Sequence, residues 1–94
     1  MIIIRNCFTA KPGQASKLAA QLKEAASVAR IPHFRILTDL IGDFNTVVFE
    51  IEAASFVEFE GQMKQYQTDQ AFREKMAGYT DLWQSGKREI FQVM

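Results

Sequence analysis

The chain has little of what usually announces a chemistry. Its 94 residues include one cysteine, one histidine and two prolines, and 11 basic residues are balanced by 11 acidic ones. The single cysteine, Cys7, excludes an internal disulfide; with no CxxC pair and no Cys/His cluster, no metal site is expected. Zero net charge argues against nucleic acid as a partner, because that binding rests on an excess of Lys and Arg over phosphate. No stretch approaches the roughly 20 consecutive apolar residues that span a bilayer, so no membrane span is expected. The opening "MIIIRN" is too short an apolar run for a secretory signal, with no basic segment before it and no small-residue cleavage site after it. No glycine-rich phosphate loop is present, and Ser, Cys and His show no triad spacing. These absences leave one soluble, cytoplasmic domain over residues 1–94, with no cofactor expected.

What is present is periodicity. Met1 to about Phe8 reads as a strand with apolar residues on both faces: Ile3 and Cys7 on one side, Ile2, Ile4 and Phe8 on the other. The turn "KPGQ" leads into a helix whose stripe is mostly alanine, with Ala15, Leu18, Ala19, Leu22, Ala25, Ala26 and Ala29 at three- and four-residue steps, ended by Pro32. "HFRILTDL" and "FNTVVFEIE" alternate across a turn around Gly42 and read as an antiparallel hairpin. "SFVE" is a capping box that opens a second helix carrying Phe56, Phe59, Met63 and Tyr66. That helix is broken at Thr68-Asp69 and continues through Phe72, Met76, Tyr79 and Trp83 until Gly86, after which "KREIFQVM" is a closing strand.

The order β-α-β-β-α-β predicts an α+β, ferredoxin-like fold with a four-stranded antiparallel sheet and both helices on one face. Ile3, Cys7, Val48, Phe91 and Val93 then lie on the face that helices cannot cover. Leaving such side chains wet forfeits roughly 1.5–3 kcal/mol each relative to full burial. A second copy packed sheet on sheet, as a two-fold homodimer, is the expected partner.

The opening strand, the "KPGQ" turn, the alanine-rich helix, the "GDFNTVVFEIE" strand and the split second helix resemble the dimeric α/β-barrel superfamily, over essentially the whole chain. Antibiotic-biosynthesis-monooxygenase-like and NIPSNAP-like domains are the nearest groups. The resemblance implies two protomers forming a dimeric α/β barrel, each with a cleft between its sheet and helices. Haem-degrading members are similar in having an asparagine in the first strand, a tryptophan at the end of the second helix's first piece, and an axial histidine ten residues later. Asn6 falls at the first position, but Tyr66 and Met76 stand at the other two. A lone thioether is a poor substitute for a proximal imidazole, so haem degradation is not expected.

Several residues are candidates for a site. Asn6 shares a face with Ile2, Ile4 and Phe8, beneath the helices; it either orients a substrate oxygen, as the resemblance implies, or ties down neighbouring backbone. Tyr66 is its candidate catalytic companion, and His33, the one histidine, is the only side chain that titrates near neutrality without help. Phe72, Met76, Tyr79 and Trp83 would line an apolar ligand pocket or, read more plainly, form core. Arg35 would contact an anionic ligand or pair at a surface. Glu50 and Glu52 read as a sheet face meeting solvent or partner, and Cys7 as a small buried hydrophobe. Two functions follow from the resemblance: a cofactor-independent monooxygenase-like enzyme for a small aromatic or polyketide-like substrate, or a non-enzymatic dimer that binds a small apolar or aromatic ligand.

Overall fold

A computed structural model describes all residues, Met1–Met94. β1 (Ile2–Ala10) is followed by α1 (Ala15–Val28), β2 (Phe34–Thr38), β3 (Thr46–Ala53), α2 (Phe56–Thr68), α3 (Gln70–Lys75), a 3-10 turn (Tyr79–Leu82) and β4 (Trp83–Gln92). The four strands form one antiparallel sheet in the order β2-β3-β1-β4. This is the expected ferredoxin-like arrangement, with the second helix in two pieces. No helix is long and apolar enough to cross a membrane.

The period of two along each strand sorts side chains between the faces as the sequence predicts. Ile4, Phe8, Val47, Phe49 and Ile51 pack toward the helices, with Phe34 and Ile36 beside them. α1 supplies Leu18, Leu22, Ala25 and Ala26, all buried. Alanine brings the helix axis close to the sheet, and the two leucines fill the space between. The helix stops at Val28, short of the expected end at Pro32. Arg30 adopts a left-handed conformation (φ 55), and the Ile31 amide donates back to the Ala26 carbonyl at 3.0 Å. This six-to-one closure buries Ile31 against Ala26, so the helix ends before proline can act.

The second helix opens on Ser55, whose hydroxyl accepts from the Glu58 amide at 3.2 Å. Glu58 reaches back to the amide of Ala54 rather than of Ser55, at 2.9 Å, so the box is one residue wider than its usual form. The break falls at Asp69, which is extended (ψ 111) and accepts from the Phe72 amide at 2.9 Å to start α3.

Beyond Lys75 the structure departs from the expected single helix through Trp83. Gly78 is left-handed (φ 79) and turns the chain into the 3-10 segment, and Trp83 already belongs to β4, paired with Ala10. Gly86 therefore breaks no helix. It sits inside the strand opposite Phe8, where a Cβ would come within 3.2 Å of the Phe8 ring and 3.5 Å of Trp83. Its missing side chain makes room for two aromatic rings.

Candidate functional site

A cavity of ≈ 440 Å³ lies between the sheet and the broken second helix. Its walls are bulky residues spaced along elements that cannot close on one another. Tyr66 and Phe72 flank the break with ring centroids 5.9 Å apart. At the other end Phe8 meets Trp83 at 5.2 Å and Tyr79 at 6.3 Å. Phe49 and Ile51 line it from the sheet, and Leu22, Met63 and Met76 complete the apolar lining. α3 is held to α1 rather than to the sheet. The Gln21 amide donates to the carbonyls of Lys75 and Ala77, both at 2.9 Å, and Lys75 pairs with Glu24 at 2.8 Å. The far wall is thereby fixed while the space beneath it stays open.

Polar groups line the cavity at two places, Asn6, Lys87 and Arg88 along β1 and β4, and Tyr66 and Gln67 beside the helix break. Asn6 is registered against Phe49 on one neighbour strand and Arg88 on the other. The Arg88 Nε donates to Asn6 Oδ1 at 2.7 Å. Because arginine can only donate, this contact identifies the amide oxygen and leaves the Asn6 NH₂ to serve as a donor elsewhere. The Arg88 guanidinium also lies 5.8 Å from the centroid of Phe59. Tyr66 is buried at 8% exposure, and burial pushes its phenol above the ordinary tyrosine value, so at neutral pH it is a neutral donor and not a base. No Asp, Glu or His lines the cavity. Lys87 reaches its rim, ion-paired to Glu89 at 2.7 Å.

Six of the residues singled out from the sequence, Asn6, Tyr66, Phe72, Met76, Tyr79 and Trp83, line this one cavity. Two do not. His33 is exposed in a left-handed turn (φ 52) just before β2, where its carbonyl accepts from the Glu52 amide. Arg35 is on the open face of the sheet, donating from Nε to Glu50. Both belong to the β2 end, across β3 from β1 and β4, and neither lines the cavity. Met76 stands on the cavity wall, where the lining offers thioethers, its own and that of Met63, but no imidazole, a set that lacks the proximal histidine of a haem-degrading site. Arg88 was not among the expected site residues, although alternation in "KREIF" places it on the same face as Ile90.

The open face holds a second surprise. Arg35, Glu50, Arg5 and Glu89 are opposed in register on consecutive strands, a row of alternating charge across the whole sheet. Glu50, expected to meet solvent or partner, is only 1% exposed within the single chain because Arg5 (Nε to Oε1, 2.7 Å) and Arg35 close over it. Burial alone would raise its pKa, but the hydrogen bonds and charges of the two arginines outweigh it and hold the carboxyl below its ordinary range. Beside this row a shallow concavity of ≈ 520 Å³ runs past Cys7, Leu37 and Val48. Burial pushes the Cys7 thiol up, so it is no thiolate nucleophile.

The sheet order and the split second helix define a ferredoxin-like α+β protein. The solved structures bear this out at the level of the fold. A NIPSNAP family protein from Agrobacterium tumefaciens superposes with a TM-score of 0.86 over 99% of this chain and 92% of its own, at 13% identity. An uncharacterised NIPSNAP domain protein from Burkholderia xenovorans gives 0.85 over 100% and 95%, at 11% identity. An antibiotic-biosynthesis-monooxygenase-like protein from Chloroflexus aurantiacus gives 0.75 over 99% and 92%, at 16% identity. No protein-family model and no curated protein matches the sequence. At these identities the likeness establishes a fold and not an activity.

Proposed function

We propose that this chain is a cofactor-independent, monooxygenase-like enzyme acting on a small aromatic or polyketide-like substrate. The observation that carries the reading is an apolar cavity whose lining includes uncharged donors, among them the Asn6 NH₂ and the Tyr66 hydroxyl, beside those of Gln67, Tyr79 and Trp83. They would hold a substrate oxygen as it gains negative charge, in a site from which apolar walls exclude water. An enolisable substrate supplies its own conjugated anion, having lost its proton to solvent before it enters the cavity. That carbanion reduces dioxygen, a carbon–oxygen bond forms, and the resulting peroxide loses water, so that CH₂ and O₂ become C=O and H₂O.

The cavity's lack of a carboxylate or imidazole favours a second reading, in which the same pocket binds a small aromatic ligand without transforming it. Oxygen uptake with anthrone, a polyketide-like enolisable ketone, separates the two. Turnover should fall about 100-fold in Asn6→Ala, the typical loss for one oxyanion donor, with a smaller loss in Tyr66→Phe. Saturable binding with no oxygen consumption would leave only the binding reading. Loss of several kcal/mol of stability in both variants, with no ligand effect, would make both residues plain core.

We propose further that the protein works as a homodimer through its open sheet face. Leu37 (38%), Phe91 (45%) and Val93 (42%) are exposed there, and the neighbouring loop presents Leu40, Ile41 and Phe44 at 95%, 96% and 85%. An apolar surface of this extent marks association, and a row of alternating charge is complementary to its own copy turned about a two-fold axis. Sedimentation at micromolar concentration should give a dimer. Val48→Asp should dissociate or unfold it by burying an unpaired charge, and a soluble, fully dimeric variant would refute the interface.

A further inference from the structure

We propose that the cavity's ligand carries a carboxylate and that Arg88 reads it. This rests on the cavity being a ligand site, and it adds the ligand's charge. Arg88 is brought inward by register: β4 is an edge strand, and Arg88 faces Asn6 across the β1–β4 ladder at the cavity's polar end. Its Nε is committed to Asn6 Oδ1, and its guanidinium is aligned over the Phe59 ring. Both terminal nitrogens remain, in the planar fork that matches a carboxylate with two parallel hydrogen bonds.

The local charge balance points the same way. The cavity is lined by two cations, Lys87 and Arg88, and by no acidic residue. Lys87 is neutralised by Glu89, and on the open face Arg5 and Arg35 share Glu50. Arg88 is engaged by a neutral amide, so its charge faces the cavity mouth uncompensated. Away from β4 the walls are mostly apolar, with Phe49, Ile51, Met63 and Phe72, and the groups there that can hydrogen-bond, Tyr66 and Gln67, carry no charge. The ligand that suits both ends has an aromatic body lodged near the helix break and an acid group at the β4 edge. In this arrangement Asn6 does two things: its oxygen orients Arg88, and its NH₂ stays free for the ligand's own oxygen. The volume of ≈ 440 Å³ lies within the range of pockets that take small organic ligands, about 300–1,000 Å³.

A pair of ligands of nearly equal shape tests this, 2-naphthoate and its neutral counterpart 2-naphthamide, titrated calorimetrically into the purified protein. The wild type should prefer the acid by about 10- to 100-fold, the range expected for charge-assisted over neutral hydrogen bonds. Arg88→Met retains an apolar stem against Phe59; it should lose the preference by weakening naphthoate alone, with naphthamide unchanged. Arg88→Lys should keep part of it, a charge without the fork, and Lys87→Gln should keep nearly all of it. Thermal melting of each variant checks that it is folded. Equal affinity for the two ligands in the wild type, or a preference that survives Arg88→Met, would overturn the role of Arg88 while leaving the cavity a binding site. Failure of both ligands to bind the wild type would remove the cavity reading itself and this inference with it.

Discussion

Two helices lie over one face of the sheet, and they meet it differently. Under α1, Leu18, Ala25 and Ala26 are fully buried, with Val47 and Leu82 in the same core, while Leu22 and Ile51 are buried where that core borders the cavity. Along the 13 residues of α2 only Phe59 and Tyr66 are buried, and none is in α3. The sequence behind the filled half is small and aliphatic, whereas the other half is aromatic and sulfur-containing. Large rings hold elements apart unless their partners interdigitate, and α3 is tethered sideways to α1 through Gln21 and Lys75 instead of being drawn down. A fold can therefore spend one helix on stability and keep the other for a pocket, with residue size deciding which is which.

The largest effect should come from emptying the filled half. Leu18→Ala should cost about 2–5 kcal/mol in urea unfolding, since the site is fully enclosed and cannot collapse. Met76→Ala, on the cavity wall, should cost about 1 kcal/mol or less, because the removed atoms already border empty space. Equal costs would erase the contrast between the halves.

Glu50→Gln tests the platform on which both halves stand. It should destabilise by about 1–3 kcal/mol through loss of charge-assisted bonds to Arg5 and Arg35, with ligand binding in the cavity unaffected. The pH dependence has a definite sign. A carboxyl whose folded pKa is lowered stabilises above its ordinary value of 4.5 and loses that contribution as pH falls through the depressed one. Wild type should therefore shed stability relative to Glu50→Gln in melts taken from pH 5 downward, and parallel curves would mean that the pairs contribute nothing.

A comparably small effect is expected where Gly86 meets the two rings at the end of the cavity. Gly86→Ala should cost about 1 kcal/mol by crowding Phe8 and Trp83, and it should weaken cavity ligands more than it weakens the fold. A variant that binds as the wild type does would show that the aromatic end of the cavity gives way freely.

Much of this was legible in the chain. The alternation of β1 and β3 sorted Ile4 and Phe49 from Cys7 and Val48, the alanine stripe marked the close-packed helix, and the Thr68-Asp69 break pointed to the cavity. Tyr66, Phe72, Met76 and Trp83 could be brought to one place by period and order alone. The errors were of another kind. Helical spacing extended the last helix through Trp83, because Tyr79 and Trp83 are also four apart on a chain that had already become a 3-10 turn and a strand. His33 was named for its titration alone and stands outside the cavity, Arg35 pairs at a surface as one of its two readings had it, and Glu50, read as meeting solvent or partner, carries no sign of the arginines that cover it.

The sequence by itself determined which residues face the helices and which do not, since a strand repeats every two residues and a helix about every 3.6 whatever lies across from it. Register is different. That Asn6 meets Arg88, 82 positions away, or that Arg35, Glu50, Arg5 and Glu89 form one row, depends on how far each strand slides along its neighbour. Turns, a bulge at Thr9/Ala10 and the packing of the whole core set that sliding together. Local pattern carries no distance between strands, so the polar end of the cavity and the charge row of the open face were decided only when the sheet was assembled.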